Sequence, residues 1–321
     1  MESAEITGIH QDSFATQFAR VEKIKVAGGT AEVVDIKPEN PKTEVPILFA
    51  PAWGCTTEVY KPTLQTLSET QRRVISLNHP RIGGNMGKFT TPEIADQYTT
   101  EGLRKSLNIL GILEQKGVEK TDVIAHSEGA INTVIAATLH PEKFRNIVLF
   151  APAGLIGEDK FTRLLQGFAG QSKRAESLQE KPLTEEEKLK GFTAPEIPIT
   201  ETEKKVASTA ATEALKYILK NPIRSLNEGW DMANNKSQIH DMLRLLHEKG
   251  IGIVVMSGVD DPVFPMDKIQ QIAKADMLDG FLSLRGGHGE IGNHPDRYMT
   301  AAEDMLTKIE EKRERHKRTA P

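Results

Sequence analysis

Short apolar runs alternate with helical patterns along the first half of the chain. Four runs have the length of strands and carry apolar residues at successive positions, as strands do when both faces of a sheet are covered. They span residues 47–50, 74–77, 123–125 and 147–150. The alternation of strand and helix predicts an α/β protein with a mostly parallel central sheet flanked by helices.

Glycine and proline mark local boundaries in this half. Gly28 and Gly29 separate two strand-like runs, and their access to positive φ suits a hairpin at an antiparallel edge of the sheet. A helical pattern runs from Pro92 to Lys116, where Thr91 is suited to cap the helix and Pro92 to its first position. We therefore expect an edge hairpin and one long helix.

The alternation stops after Gly154. An apolar stripe with helical spacing follows, and further helical patterns cover residues 202–220 and the segment that begins at Asn221-Pro222. The stripe consists of Phe161, Leu164, Leu165 and Phe168, and the second pattern predicts buried Leu215, Ile218 and Leu219. The polar stretch 171–198 indicates a loop with a short helix. We expect a helical insertion here; a disordered linker is the alternative.

Strand and helix alternate again towards the carboxyl end. Residues 251–256 and 281–284 are strand-like, a helical pattern lies between them, and a last helix begins near Pro295. The chain therefore divides into a core domain of residues 1–154 and 251–321 and an insertion of residues 155–250. The charged residues 310–318 predict a solvated helix end; a partner-binding tail is the alternative.

Composition excludes several classes of protein. The 321 residues are 38% hydrophobic and include 25 glycines, which is ordinary for a globular protein and unlike a disordered, collagen-like or coiled-coil chain. A net charge of -4 argues against a nucleic-acid or anionic-membrane partner. Cys55 is the only cysteine, so an intramolecular disulfide and a zinc site of paired cysteines are excluded. Without a signal-peptide pattern or a membrane-spanning apolar run, we expect a cytoplasmic protein; its oligomeric state is left open.

The most informative segment is residues 122–129, which reads Asp-Val-Ile-Ala-His-Ser-Glu-Gly. A strand that ends at a serine between small residues and passes at once into a helix is typical of a nucleophile elbow. Ala125 stands where that pattern usually has its first glycine, and it is small enough to keep the serine accessible. The alternative is that Ser127 only caps the following helix.

A serine nucleophile needs an imidazole as base and a carboxylate to orient it. Asp260 and Asp261 follow the strand 251–256, and His288 lies in a glycine-rich loop after the strand 281–284. These loops lie at the carboxyl ends of the strands, where ligands bind open α/β sheets. The chain order Ser, Asp, His is that of α/β hydrolases. The alternative for the aspartates is a cap on the helix that begins near Pro265.

On these motifs the chain resembles the α/β-hydrolase superfamily, in its cap-bearing esterase and lipase-like branch, over roughly residues 20–312. The resemblance implies that Ser127 is the nucleophile, Asp261 the acid and His288 the base. Asp261 stands at the acid position of the Gly-x-x-Asp-x-x-x-Pro segment that begins at Gly258, and Asp260 is one residue early.

The resemblance also implies an oxyanion hole built from the backbone N–H groups of Glu128 and Trp53. The family usually has His-Gly before the second donor, whereas this chain has Pro51-Ala52. Packing alone is the alternative role for Trp53.

Other histidines and glycines carry less weight. His126 is expected to pack, and neither His126 nor His79 follows the final strand as a base would. His294 is expected to mark the turn into the last helix. Metal-ligand spacings such as His-Glu-x-x-His are absent from the sequence, and the glycines at 83, 84 and 87 lack the context of a phosphate loop. We expect no metal and no cofactor.

The resemblance implies a serine hydrolase that cleaves carboxylic esters through an acyl-enzyme, with the insertion as a cap over a small-molecule ester or acyl substrate. Serine at the elbow argues against haloalkane dehalogenase and epoxide hydrolase chemistry. The same three residues would serve a carbon–carbon bond hydrolase, lactonase, thioesterase, peptidase or cofactor-free perhydrolase. The alternatives from another class are a ligand-binding receptor-like protein and an interaction scaffold with this fold.

Overall fold

The computed structural model describes residues 14–82, 86, 90–157, 159–178, 212–274 and 276–319. Within these ranges eight strands form one sheet in the order β1-β2-β4-β3-β5-β6-β7-β8. β1 pairs antiparallel with β2 and β2 with β4, and the other pairs are parallel. The strands are β1 Glu22–Val26, β2 Gly29–Ile36, β3 Ile47–Ala50, β4 Val74–Asn78, β5 Thr121–His126, β6 Phe144–Phe150, β7 Gly252–Gly258 and β8 Gly280–Leu284. The predicted mostly parallel sheet and its antiparallel edge are confirmed.

Helices cover both faces of this sheet. They are α1 Lys61–Glu69, α2 Pro92–Gln97, α3 Thr100–Gln115, α4 Glu128–Leu139, α5 Phe161–Leu178, α6 Pro222–Met232, α7 His240–Glu248, α8 Met266–Ile272, α9 Glu290–Asn293 and α10 Pro295–Thr319. Residues 14–19 and 212–220 are also helical. None of the helices in the described ranges combines the length and apolar composition that a membrane span requires.

Side chains alternate between the two faces of each central strand and so build two apolar layers. On β3, Leu48 packs on the face that α3 and α4 cover, and Phe49 on the opposite face with α1 and α10. β5 follows the same alternation with Val123 and Ile124. Burial on both faces explains why these strands read as unbroken apolar runs.

A buried carboxylate organises the amino end of β5. Asp122 accepts hydrogen bonds from Arg72 (Nη2, 2.6 Å), Arg145 (Nε, 2.9 Å) and Asn146 (Nδ2, 3.0 Å). A carboxylate without solvent needs such compensation, because its desolvation is costly. This polar cluster therefore joins β5 and β6 at the end of the sheet opposite Ser127.

The prediction of a single helix from Pro92 to Lys116 is wrong. The segment is two helices, α2 and α3, because Tyr98 takes an extended conformation (φ -123°, ψ 163°) and its side chain is buried. Thr91 occupies the N-cap position, but its side chain makes no capping hydrogen bond. The edge hairpin is as predicted, with Gly29 at φ 124°.

The insertion is helical where it is described. A helix begins after Asn221, as predicted, and Asn221 caps it: its Oδ1 accepts from the N–H of Arg224 at 3.1 Å. The predicted burial of Leu215 and Leu219 is wrong: they are 57% and 68% exposed, and the helix instead buries Tyr217. The reason is that Tyr217 finds a polar partner in the interior, described below. Most of the polar stretch 171–198 and the start of the 202–220 pattern lie outside the described residues.

Candidate active site

A strained turn connects β5 to α4 at Ser127. This residue has φ 56° and ψ -119°, a region that residues with a side chain rarely adopt. Its N–H donates to the carbonyl of Phe150 at 3.0 Å, and its carbonyl accepts from Ala130 at 3.0 Å and Ala153 at 3.1 Å. These bonds to the next strand and the next helix hold the turn in its unusual conformation.

Gly129 allows this turn to lie against the end of β3. A Cβ at this position would be 2.5 Å from the carbonyl oxygen of Ala50 and 2.9 Å from that of Pro51. Because both obstacles are backbone atoms, a side chain here would force the elbow away from the loop after β3. The glycine therefore sets the distance between Ser127 and the loop that contains Trp53.

The imidazole of His288 bridges Ser127 and Asp261. Its Nε2 lies 3.0 Å from Oγ of Ser127, and its Nδ1 lies 2.9 Å from Oδ2 of Asp261. All three side chains are buried. A carboxylate accepts only, so Nδ1 of the neutral ring carries the proton and Nε2 is free to accept the serine O–H. The arrangement can thus remove a proton from Ser127.

Asp261 is fixed from the side opposite His288. Its Oδ1 accepts from the N–H groups of Val263 at 2.7 Å and Phe264 at 3.0 Å. The carboxylate therefore organises its own loop as well as the imidazole. The adjacent Asp260 is placed differently, with its N–H bonded to the carbonyl of Gly286 at 3.0 Å. Of the two sequence candidates, the structure brings Asp261 to His288.

The loop after β3 brings Trp53 to the same region. Within this loop, the N–H of Ala52 donates to the hydroxyl of Tyr60 (3.3 Å) and that of Cys55 to the carbonyl of Ala52 (3.2 Å). Glu128 is the first residue of α4, where backbone N–H groups have no acceptor within the helix. The oxyanion role of the Trp53 and Glu128 N–H groups stays a prediction.

Aromatic side chains form an apolar wall around His288. Phe168 of α5 meets its ring edge-on at a centroid distance of 5.9 Å, and Phe264 lies 5.3 Å away. Phe168 is also 5.9 Å from the ring of Trp53. Gly167 allows this close approach, because a Cβ there would be 2.7 Å from the carbonyl oxygen of Pro262. The insertion thus contacts the base directly.

A buried cluster of charged residues lies directly behind the elbow, and sequence reasoning missed it. Nζ of Lys105 is 2.7 Å from both carboxylate oxygens of Glu128 and 3.2 Å from Oε1 of Glu228. Glu228, on α6, also accepts from Arg81 (Nη1, 2.7 Å) and from the hydroxyl of Tyr217 (2.9 Å to Oε2). The only sequence signal is charged residues inside the helical patterns, which usually indicates a solvated surface.

Burial and charge act against each other in this cluster. Burial raises the pKa of Glu128 to about 7, although Lys105 lowers it in part. Burial also acts to raise the pKa of Glu228, but Lys105 and Arg81 outweigh it and hold that pKa below its ordinary value. Burial would lower the pKa of Lys105, yet the two carboxylates raise it above the usual range. Near neutral pH, Glu128 is therefore the member that titrates.

The other histidines have separate partners. His126 does more than pack: Nε2 is 2.9 Å from the carbonyl oxygen of His288, and Nδ1 is 2.6 Å from the hydroxyl of Tyr60. Nδ1 of His79 is 3.4 Å from Nδ2 of Asn108 and is buried. His294 lies 3.4 Å from the carboxylate of Glu290. In the described part of the chain, no group of three or more His, Cys, Asp or Glu side chains is arranged to hold a metal ion, and the glycines at 83, 84 and 87 lie outside it.

Comparison with known proteins agrees with this architecture. Residues 45–178 match the family model described as alpha/beta hydrolase fold. A thermophilic esterase from Thermogutta terrifontis is 17% identical, with a TM-score of 0.58 over 90% of this chain and 99% of that one. An enol-lactonase from Burkholderia xenovorans is 15% identical, with a TM-score of 0.60 over 89% and 100%.

A meta-cleavage product hydrolase from Pseudomonas fluorescens is similar in the same way. It is 17% identical, with a TM-score of 0.55 over 89% of this chain and 97% of that one. The search of curated proteins found no match. At these identities the likeness to solved structures shows the shared fold. Together with the match of residues 45–178 to the family model, it shows that the chain has the α/β-hydrolase fold.

Proposed function

We propose that this protein is a serine hydrolase that cleaves carboxylic esters through an acyl-enzyme intermediate. The observation that carries the proposal is the position of His288, whose two ring nitrogens lie 3.0 Å from the Ser127 hydroxyl and 2.9 Å from the Asp261 carboxylate. The family match and the esterase of the same fold support hydrolase chemistry.

Acylation follows from this geometry. Nε2 of His288 takes the proton of Ser127 as Oγ attacks the ester carbonyl carbon, and Asp261 stabilises the imidazolium that forms. The N–H groups of Glu128 and Trp53 would donate to the oxyanion; such a donor is worth about 3 kcal/mol of barrier. His288 then gives its proton to the leaving alkoxide, and the alcohol departs.

Deacylation repeats the sequence with water as the nucleophile. His288 removes a proton from water, the hydroxide attacks the acyl carbon, and Ser127 leaves with the proton returned by His288. The carboxylic acid is released, and both residues regain their starting protonation states. The same residue therefore serves as base and acid in each half of the reaction.

The substrate class follows from the residues around the base. Trp53, Phe168 and Phe264 offer apolar surface, which favours an uncharged acyl or alcohol group. We propose that the insertion of residues 155–250 acts as a cap. Its support is the contact of Phe168 with His288, together with Ala214, which lies 3.7 Å from a Cβ built on Gly54 in the loop of Trp53.

A fluorophosphonate probe and a panel of p-nitrophenyl esters test the proposal. The wild type should be labelled at Ser127 and should release many equivalents of p-nitrophenol per chain, whereas Ser127→Ala should do neither. Ser68→Ala, which changes a serine of α1, is the matched control and should behave as wild type. Undiminished hydrolysis by Ser127→Ala, or release that stops after one equivalent and leaves the acyl group on the protein, would contradict a hydrolase that turns over through Ser127.

A further inference from the structure

The base loop contains little that could hold its own backbone. His288 is preceded by Gly286 and Gly287 and followed by Gly289, and Gly286 has φ 118°. Glycines have no side chain to pack and lose the most conformational freedom on folding. The position of the imidazole therefore depends on hydrogen bonds that fix the backbone of this loop.

His126 supplies one of these bonds at His288 itself. The carbonyl oxygen of His288 can only accept, so Nε2 of His126, 2.9 Å away, must carry a proton and donate it. In a neutral ring Nδ1 is then the acceptor, and it faces the hydroxyl of Tyr60 at 2.6 Å. The partners thus fix one tautomer of His126.

Tyr60 extends the chain of hydrogen bonds to the loop after β3. Having donated to His126, its hydroxyl oxygen accepts from the N–H of Ala52 at 3.3 Å. Ala52 precedes Trp53, the predicted oxyanion donor, and His126 precedes Ser127. One continuous relay therefore joins the loop of the oxyanion donor, the elbow and the base.

The protonation states that this relay requires are those its environment favours. Burial lowers the pKa of His126 well below its ordinary value, and the nearby His288 lowers it further, which keeps the ring neutral. Burial raises the pKa of Tyr60 well above its usual range, which keeps the hydroxyl as a donor. The rings of His126 and His288 are only 4.8 Å apart, so a neutral His126 does not oppose the positive charge that His288 gains during catalysis.

We propose that Tyr60 and His126 are positioning residues that hold His288 at hydrogen-bond distance from Ser127. The inference rests on the serine hydrolase proposed above and adds two residues that do not touch the reacting atoms. His126, which precedes the nucleophile, holds the base in place and does not itself act as a base.

The test compares two variants of His126, each of which keeps only one of its two hydrogen bonds. In His126→Gln the amide nitrogen can reach the place of Nε2 and keep the bond to His288, whereas in His126→Asn the amide oxygen can keep only the bond to Tyr60. We expect fluorophosphonate to label His126→Asn about 10- to 100-fold more slowly than wild type, because a small displacement of the base has that effect, with substantial rescue in His126→Gln. With p-nitrophenyl acetate the loss should fall on kcat and leave KM nearly unchanged.

Tyr60→Phe provides an independent and milder arm. It removes one hydroxyl and keeps the ring that packs on Phe49, so the fold should persist. We expect labelling about 2- to 10-fold slower, as for the loss of one hydrogen bond. Tyr98→Phe is the matched control: it removes the hydroxyl of another buried tyrosine, which lies between α2 and α3 and is not part of the base loop. Labelling of the control should stay near the wild-type rate.

The outcomes separate the two proposals. Failure of the wild type to label means that the serine hydrolase itself is wrong. If the wild type is labelled normally, two results would overturn the relay and leave the serine hydrolase standing. One is a wild-type labelling rate in Tyr60→Phe, and the other is an equal loss of activity in His126→Gln and His126→Asn. Should the His126 variants fail to fold, as judged by thermal unfolding, the comparison of Tyr60→Phe with Tyr98→Phe decides.

Discussion

Oδ2 of Asp261 lies 2.9 Å from Nδ1 of His288, while the carboxylate one residue earlier in the chain is not the one that meets the imidazole. Two acidic residues thus stand side by side in sequence, and the fold brings one of them to the base. The difference arises because the turn that follows Asp261 closes on its own Oδ1 through the N–H groups of Val263 and Phe264.

This pair gives a matched test of the acid. Asp261→Asn should lower kcat roughly 1,000- to 10,000-fold, because an amide favours the wrong tautomer of His288 and does not stabilise its cation. Asp260→Asn changes the same chemical group one position away and should keep kcat within about threefold, the scale of a modest electrostatic effect. Steady-state kinetics on p-nitrophenyl acetate measures both. Equal losses in the two variants would contradict the assignment of Asp261.

The buried cluster behind the elbow predicts a strong dependence of stability on Lys105. In Lys105→Met, Glu128 and Glu228 lose the cation that they share, and we expect the free energy of unfolding to fall by about 3–5 kcal/mol. Adding Glu128→Gln removes one of the stranded charges and should recover part of the loss. Urea denaturation of both single variants and the double variant gives the coupling energy. Additive losses would argue against a direct interaction.

Glu128 also predicts how stability changes with pH. The pKa of Glu128 is about 7 in the folded protein and 4.5 in the unfolded chain. Between pH 4.5 and about 7 the folded state therefore retains a proton that the unfolded state releases. The contribution of Glu128 is therefore fully present below about pH 4.5 and is lost as pH rises to about 7. Relative to Glu128→Gln, the wild type should lose up to about 3 kcal/mol over this window. A pH-independent difference between the two proteins would contradict the raised pKa.

Phe168 is predicted to limit the size of the acyl group. Replacing it with alanine removes the ring that lies against both His288 and Trp53, and the space should admit longer acyl chains. We expect the ratio of kcat/KM for p-nitrophenyl octanoate to that for the acetate to rise about tenfold, the effect of a few methylenes in an apolar pocket. Leu165→Ala, on the same helix but 45% exposed, is the control and should leave the ratio unchanged. An unchanged ratio in Phe168→Ala would remove this residue from the pocket.

Ser127, Asp261 and His288 could be proposed from the sequence because each stands in a recognisable local pattern. Ser127 stands in a strand–turn–helix pattern, and the candidate acids and His288 follow strands whose carboxyl ends must share one edge. The polar cluster behaves differently. Lys105 and Glu228 are far apart in sequence and sit in helical patterns, where a charge normally indicates solvent.

A polar partner on another helix also explains why the predicted buried face of the helix at 212–220 is wrong. Apolar Leu215 and Leu219 suggested the buried face, but Tyr217 reaches Glu228 and turns that face inward instead. His126 shows a milder case. Its burial was expected, yet its two hydrogen-bond partners, Tyr60 and His288, come from distant segments that only the folded sheet brings together.

The ion cluster of Asp122 with Arg72 and Arg145 lies at the far end of β5 from Ser127. The contacts that hold the central strands together and the residues around Ser127 therefore lie at opposite ends of the same six-residue strand. For protein engineering this separation is useful: loops around the base can be redesigned for new substrates while the anchoring tip is left intact. Diversified libraries confined to the serine-bearing edge should consequently retain a large share of folded members.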